Sequence, residues 1–288
     1  MDILQGLSEG EIRRQLTIRQ RIIFEGAVYH ITQRAPGTER IFLEENDYLY
    51  FLKILKDIAQ EFHVKLFSFT LLTNHLHLLL QITQKNLSSA MKNLFERYAM
   101  YFNEKYQRKG HVFCGRFRAS LCNDDAYFLA ISVYIHLNPC RAGLCKDFRS
   151  YRWSSIRLFT DITAATFVDY QQILSMIDQD IHRARQKYQQ ILSDSLLHIE
   201  SCGISGTLSL KRVAGQIGEV IQKITKRHEE KNLEAMVEKI KSKQRMRKIE
   251  ERDARKYAIG QLLANGYTPA EIEKMLGISR ATFYRTIA

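Results

Sequence analysis

The chain lacks any apolar run approaching the ~18 residues that a membrane-spanning helix needs, so a transmembrane protein is not expected. Residues 1–21 are polar and charged, with no apolar stretch of the kind an export signal carries. Cysteine is scarce and awkwardly placed. There are five (Cys114, Cys122, Cys140, Cys145 and Cys202), an odd number with no CxxC pair, which argues against a disulfide framework or a zinc knuckle. Reduced thiols in a cytoplasmic protein fit better. Only three prolines occur, and each reads as punctuation: Pro36 in a loop with Gly37, Pro139 as the end of a helix, and Pro269 at the start of one. No internal repeat or low-complexity tract stands out. Acid is in short supply, 31 Asp and Glu against 43 Lys and Arg, a formal charge of +12. A basic excess favours a polyanionic partner, because neutralised phosphates release condensed counterions. Many basic proteins bind no nucleic acid, so charge only tilts the reading.

What is present suffices for a sizeable core: 45% of the 288 residues are hydrophobic. After a polar lead-in (1–22), residues 27–32 are rich in β-formers and predict a strand. Residues 46–62 carry Leu49, Leu52, Leu55, Ile58, Ala59 and Phe62 at helical spacing. Two short apolar runs, 64–72 and 75–82, flank the turn-like pair Thr73-Asn74 and predict a hairpin. Residues 87–106 read as a helix with Met91, Leu94, Tyr98, Tyr101 and Phe102 on one face, broken by Gly110. Residues 111–121 alternate apolar and basic side chains and read as a fourth strand. Asn123-Asp124-Asp125 offers cap chemistry for a helix running from Ala126 to about Leu137. The order β-α-β-β-α-β followed by a helix predicts an α+β, ferredoxin-like antiparallel sheet with helices. Beyond it lies an all-α C-terminal region.

His75-Leu76-His77 places two imidazoles on one face of a strand, because side chains alternate along it. Such a pair can hold one divalent cation; it can equally be two hydrogen-bonded histidines in a polar patch. Tyr134 and Asn138 stand four apart and share a helix face. Taken singly, Tyr134 reads as well as a core aromatic, and Asn138 as a cap before Pro139. If their face lies over the histidine strand, phenol, amide and imidazoles meet.

These stretches resemble the HUH transposase domain of the REP-associated tyrosine transposases and their IS200-like relatives. The resemblance runs from about Gly26 to Ser155. It is carried by Tyr29-His30-Ile31-Thr32-Gln33-Arg34, Leu72-Thr73-Asn74-His75-Leu76-His77-Leu78-Leu79, Gly110-His111-Val112-Phe113-Cys114-Gly115-Arg116-Phe117-Arg118, Tyr134-Ile135-His136-Leu137-Asn138-Pro139 and Trp153-Ser154-Ser155, in the family's order. The family often has a proline where this chain has Thr73. The resemblance implies that His75, His77 and Asn138 bind a divalent metal (Mg²⁺ or Mn²⁺) and that Tyr134 is the nucleophile. It implies cleavage and rejoining of single-stranded DNA through a 5′-phosphotyrosine, with single-stranded or hairpin DNA as partner. His136, two residues from Tyr134, falls on the opposite helix face and is not expected to act as its base. The competing reading is a non-catalytic DNA-binding regulator derived from a transposase; a relaxase-type nickase ranks third. Relatives include monomers and dimers that exchange the tyrosine helix, so a homodimer is an open expectation.

Two further stretches suggest DNA contact. Arg116 and Arg118 flank Phe117 and would share one face of the fourth strand, suited to phosphate or to protecting an edge. Residues 253–265 read as a helix. Thr268-Pro269-Ala270-Glu271 then caps a second, Gly277 turns, and Ser279 caps a last helix from Arg280 to Ile287. This resembles the helix-turn-helix of resolvases. Ser279, Arg280, Thr282 and Tyr284 are candidate groove contacts, and Arg285 a candidate phosphate contact. The expected organisation is a lead-in (1–22), a catalytic domain (23–160), a partly basic helical connecting region (161–252) and a helix-turn-helix unit (253–288). The basic stretch 241–256 could track a phosphate backbone or simply be solvated. A cytoplasmic, nucleoid-associated location is expected.

Overall fold

A computed structural model describes residues 23–122, 124–161, 165–201, 210–225, 249–264 and 267–287. The lead-in, residues 202–209 and the first half of the basic stretch 241–256 lie outside the described residues.

Strands β1 (Val28–Arg34), β2 (Val64–Leu71), β3 (His75–Ile82) and β4 (Arg118–Leu121) form one antiparallel sheet in the order β2-β3-β1-β4. Helix α1 (Glu45–Glu61) joins β1 to β2, and α2 (Leu87–Lys105) joins β3 to β4. This is the expected ferredoxin-like arrangement. Strand alternation sorts β3 cleanly, with Leu76, Leu78 and Leu80 on one face and His75, His77 and Leu79 on the other. Alternation along β2 is interrupted between Leu66 and Ser68, where a bulge turns Phe67 edge-on to Phe128 of the helix Asp125–Arg141 at 4.9 Å.

Helix α1 packs with a slightly different face from the one its leucines suggest. Tyr48, Phe51, Ile54, Leu55 and Ile58 are buried, while Leu49 is 46% exposed. The register is set by Asp47, whose buried carboxylate accepts from the backbone N–H groups of Leu43 (2.8 Å) and Glu44 (3.1 Å), from Tyr106 (2.8 Å) and from Lys105 (2.7 Å).

Helix α3 (Asp125–Arg141) follows β4. Asp124 caps it, accepting from the N–H of Tyr127 at 2.6 Å. Contrary to expectation, Pro139 does not end it; the proline sits inside its last turn. The stop comes from Gly143, in left-handed geometry at φ +70°. There the N–H of Gly143 bonds Cys140 O (2.9 Å) and that of Leu144 bonds Pro139 O (2.9 Å), a Schellman ending. A proline in a helix costs about 3 kcal/mol, and the burial of Ile131, Val133, Ile135 and Leu137 outweighs it.

The 153–155 segment lies along the outer edge of β2. Leu71 N–H bonds Trp153 O at 2.9 Å and Ser155 N–H bonds Phe69 O at 3.1 Å, so this edge is not left open. Short helices α4 (Ile156–Thr160) and α5 (Tyr170–Ser175) lead to α6 (Ile181–Ser201) and α7 (Leu210–Thr225), which pack on α3 and add Ala184, Tyr188, Ile191, Val213 and Ile217 to the main core.

The C-terminal helices α8 (Ile249–Ala264), α9 (Pro269–Leu276) and α10 (Arg280–Ile287) enclose a second, smaller core of Ala258, Ile259, Leu262, Ile272, Leu276 and Phe283. Their joints follow the sequence. Thr268 and Glu271 form a reciprocal capping box with Pro269 in the first turn, Gly277 adopts φ +64°, and Ser279 Oγ accepts from Thr282 N–H at 3.2 Å.

Candidate active site

Strand register builds the site's floor. Thr32 of β1 faces His77 on one side and Arg118 on the other, and Arg34 faces His75. Cross-strand partners share a face, so His75, His77, Thr32, Arg34 and Arg118 all project from the same side of the sheet. Helix α3 packs over the β2–β3 part of that side.

The two histidines of β3 are held by different partners. His75 Nδ1 lies 2.7 Å from Asn74 Oδ1, and His77 Nδ1 lies 2.9 Å from Nε2 of His30 on β1. The His30 and His77 rings stack at 5.1 Å, and His75 stands edge-on to His77 at 5.2 Å. From above, Tyr134 presents its ring edge-on to both His77 (5.7 Å) and His30 (5.9 Å). Phenol and imidazoles therefore meet within one chain. Asn138 follows one turn later, its Nδ2 donating to Tyr134 O at 2.7 Å, which leaves its Oδ1 as an oxygen donor. One turn further, the Arg141 guanidinium lies 5.2 Å from the centre of the Tyr134 ring.

The electrostatics keep these imidazoles neutral. Burial depresses His30 to about 3. Burial, then the charges of His30, His75 and Arg141, holds His77 well below its ordinary value, and burial and Arg34 lower His75. A neutral imidazole offers a lone pair. His77 Nε2 is buried without a hydrogen-bond partner, as is His30 Nδ1. Among the described residues no three His, Cys, Asp or Glu side chains converge as a metal site.

His136 faces away, as its spacing predicts. It is fully buried, with Nδ1 2.8 Å from Tyr188 Oη and Nε2 2.8 Å from Ser155 Oγ, and burial lowers it to about 3. The expected fourth strand over 111–121 shrinks to Arg118–Leu121. Arg116 lies in the irregular segment before it, where Gly110 (φ +106°) and Gly115 (φ +64°) break extended geometry. Arg116 and Arg118 therefore do not share a strand face, although both are exposed. In the C-terminal unit Arg280, Tyr284 and Arg285 are exposed, with the Arg280 guanidinium 5.9 Å from the Tyr284 ring centre. The hydroxyls of Ser279 and Thr282 bond each other at 3.0 Å.

Two residues escaped the sequence reading. His30 sits in a recognised stretch, but its meeting with His77 depends on strand pairing. Arg141 was within reach: it stands seven residues after Tyr134, on the same helix face.

Residues 24–138 match the family model "Transposase IS200 like". They form an IS200-like transposase domain. All of the candidate site except Arg141 falls within this transposase domain. Residues 250–288 match the model of a homeodomain-like domain, in agreement with the helix-turn-helix. A solved structure of a REP-associated tyrosine transposase bound to a REP hairpin is similar at 15% identity and a TM-score of 0.44, covering 52% of this chain and 93% of that one. No curated protein matches the chain. No helix among the described residues is long and apolar enough to cross a membrane.

Proposed function

We propose that this protein cleaves and rejoins single-stranded DNA through a covalent bond between Tyr134 and a 5′-phosphate. The observation that carries the reading is the convergence of Tyr134 on His77 within a domain of transposase type. His75 and His77, through imidazole nitrogens, and Asn138, through its amide oxygen, would hold a divalent cation such as Mg²⁺ or Mn²⁺. The orphaned, buried Nε2 of His77 fits that role. When bound, the cation supplies Lewis-acid polarisation of a phosphate oxygen. Tyr134 attacks phosphorus with its phenolic oxygen, giving up its proton to solvent. The bond from phosphorus to the 3′-oxygen breaks, and that oxygen leaves as a hydroxyl, taking a proton from water. The phosphodiester energy stays in the tyrosyl ester, so another 3′-hydroxyl can reverse the step without a nucleotide cofactor.

The division of labour we propose gives cleavage to residues 23–160 and DNA docking to 253–288, joined by 161–252. Arg118, on the site face, and Arg116 beside it would guide the strand; Arg280, Tyr284 and Arg285 would contact duplex DNA, with Ser279 and Thr282 at the mouth of that helix.

The test is incubation with single-stranded hairpin DNA and Mn²⁺, followed by denaturing electrophoresis. A covalent protein–DNA band is expected for the wild type and none for Tyr134→Phe. An undiminished band with Tyr134→Phe removes that residue as nucleophile. Tight binding with no band in the wild type would instead support a non-catalytic regulator.

A further inference from the structure

One face of α3 delivers three polar side chains at successive turns: Tyr134, Asn138 and Arg141. The chemistry above uses the first two. Arg141 is half-buried, its guanidinium stacks on the Tyr134 ring at 5.2 Å, and it forms no ion pair with any described carboxylate. The other cations on the histidine side of the sheet, Arg34 and Arg118, are exposed. Arg34, Arg118 and Arg141 together give the centre a positive field directed at a site where an anion must bind.

We propose that Arg141 is the anion subsite of this centre, donating hydrogen bonds to a non-bridging oxygen of the phosphate that Tyr134 attacks. The inference rests on the strand-cleavage reading of the same site. A guanidinium suits the task because its planar fork matches two phosphate oxygens and it keeps its charge at any physiological pH. Stacking on the phenol ring holds the fork at the end of α3 where the attacked phosphate must arrive. That same stack, with nothing more, is the competing explanation: a cation–aromatic contact that only packs the ring.

Equilibrium binding separates the two. The full-length protein carrying Tyr134→Phe keeps the ring and cannot form the ester. Its affinity for a fluorescent single-stranded oligonucleotide is measured across a series of KCl concentrations, alone and with Arg141→Gln or Arg141→Lys added. If Arg141 contacts phosphate, Arg141→Gln weakens binding about tenfold or more. It also reduces the slope of log K against log [salt] by about 0.7, one phosphate contact on a single strand. Arg141→Lys keeps the slope and loses part of the affinity. A methylphosphonate at the scissile position, found from the wild-type adduct, removes the difference between parent and Arg141→Gln. Unchanged affinity and slope in a folded Arg141→Gln protein overturn the proposal, even where the wild type forms its adduct. A reduced slope without any wild-type adduct keeps the anion subsite and discards the cleavage reading. Should Arg141→Gln fail to fold, the methylphosphonate arm decides: binding by the parent protein that ignores the neutral linkage overturns the subsite.

Discussion

At the scale of single residues, the site depends on one hydrogen bond between buried rings. His77 can offer Nε2 to a cation only when its proton sits on Nδ1, and the group 2.9 Å from Nδ1 is His30 Nε2. His30 is thus a positioning residue for His77, fixing ring orientation and tautomer. We predict that His30→Ala weakens Mn²⁺ binding about 10–100-fold, measured by calorimetry on protein whose melting temperature stays close to wild type. Unchanged Mn²⁺ affinity in the folded variant would show that His77 orients itself. The same reasoning explains why a lone HxH motif is a poor predictor. His75 is held by its chain neighbour Asn74, but His77 is aimed by His30 on a strand 47 residues away.

At the scale of elements, α3 is the arm that carries Tyr134 and Asn138, and its two ends are set by local sequence. Asp124→Ala removes the side chain that accepts the Tyr127 N–H and should cost about 1 kcal/mol. Gly143→Ala forces a side chain into left-handed geometry at φ +70° and should cost about 1 kcal/mol or more. Denaturant titration reads both, and a neutral Gly143→Ala would mean that the Schellman ending is not needed. The α1–α2 pair is joined differently, through Asp47. Burial opposes ionisation of its carboxyl, yet the hydrogen bonds from Lys105, the Leu43 N–H, Tyr106 and the Glu44 N–H outweigh that and lower its pKa. Because the folded value lies below the unfolded one, the unfolded chain binds the proton first as pH falls. The stabilisation is therefore complete above the ordinary aspartate value of 3.8 and is lost progressively below it. Asp47→Asn should destabilise by about 1–3 kcal/mol at neutral pH and flatten the acid limb of a stability–pH curve. An acid limb as steep as wild type would show that other carboxylates govern it.

At the scale of the whole molecule, the two hydrophobic cores are separate, and α8 approaches the first of them at Phe24. The Cα of Gly260 in α8 lies against the ring of Phe24, just before β1; a Cβ placed there would stand 2.7 Å from two ring carbons. Beside it, Lys256 pairs with Glu25 at 3.3 Å. The exposed ion pair contributes little by itself, so the joint rests on the glycine's close approach. Phe24 is buried and has little room to swing aside. Gly260→Ala should therefore separate the helix-turn-helix unit from the transposase domain while each keeps its own core. Limited proteolysis would show faster cutting between the two units, with both fragments still resistant. Proteolysis unchanged from wild type would mean that the joint tolerates the methyl group.

Much of this was legible in the chain itself because it depends on near neighbours. Strand alternation puts His75 and His77 on one face, a helix repeat puts Tyr134 and Asn138 on another, and Thr268, Pro269, Gly277 and Ser279 mark the C-terminal helices by their own backbone chemistry. Local rules failed where a local preference met a packed environment: Pro139 stays helical because its helix is buried, and Arg116 leaves the strand because two glycines precede it. Only the tertiary structure decided that His30 meets His77, that α3 crosses the histidines and not some other part of the sheet, and that α6 and α7 close over α3. Those choices come from burying apolar faces contributed by segments far apart in the chain, and no short window of residues contains both sides of such a contact.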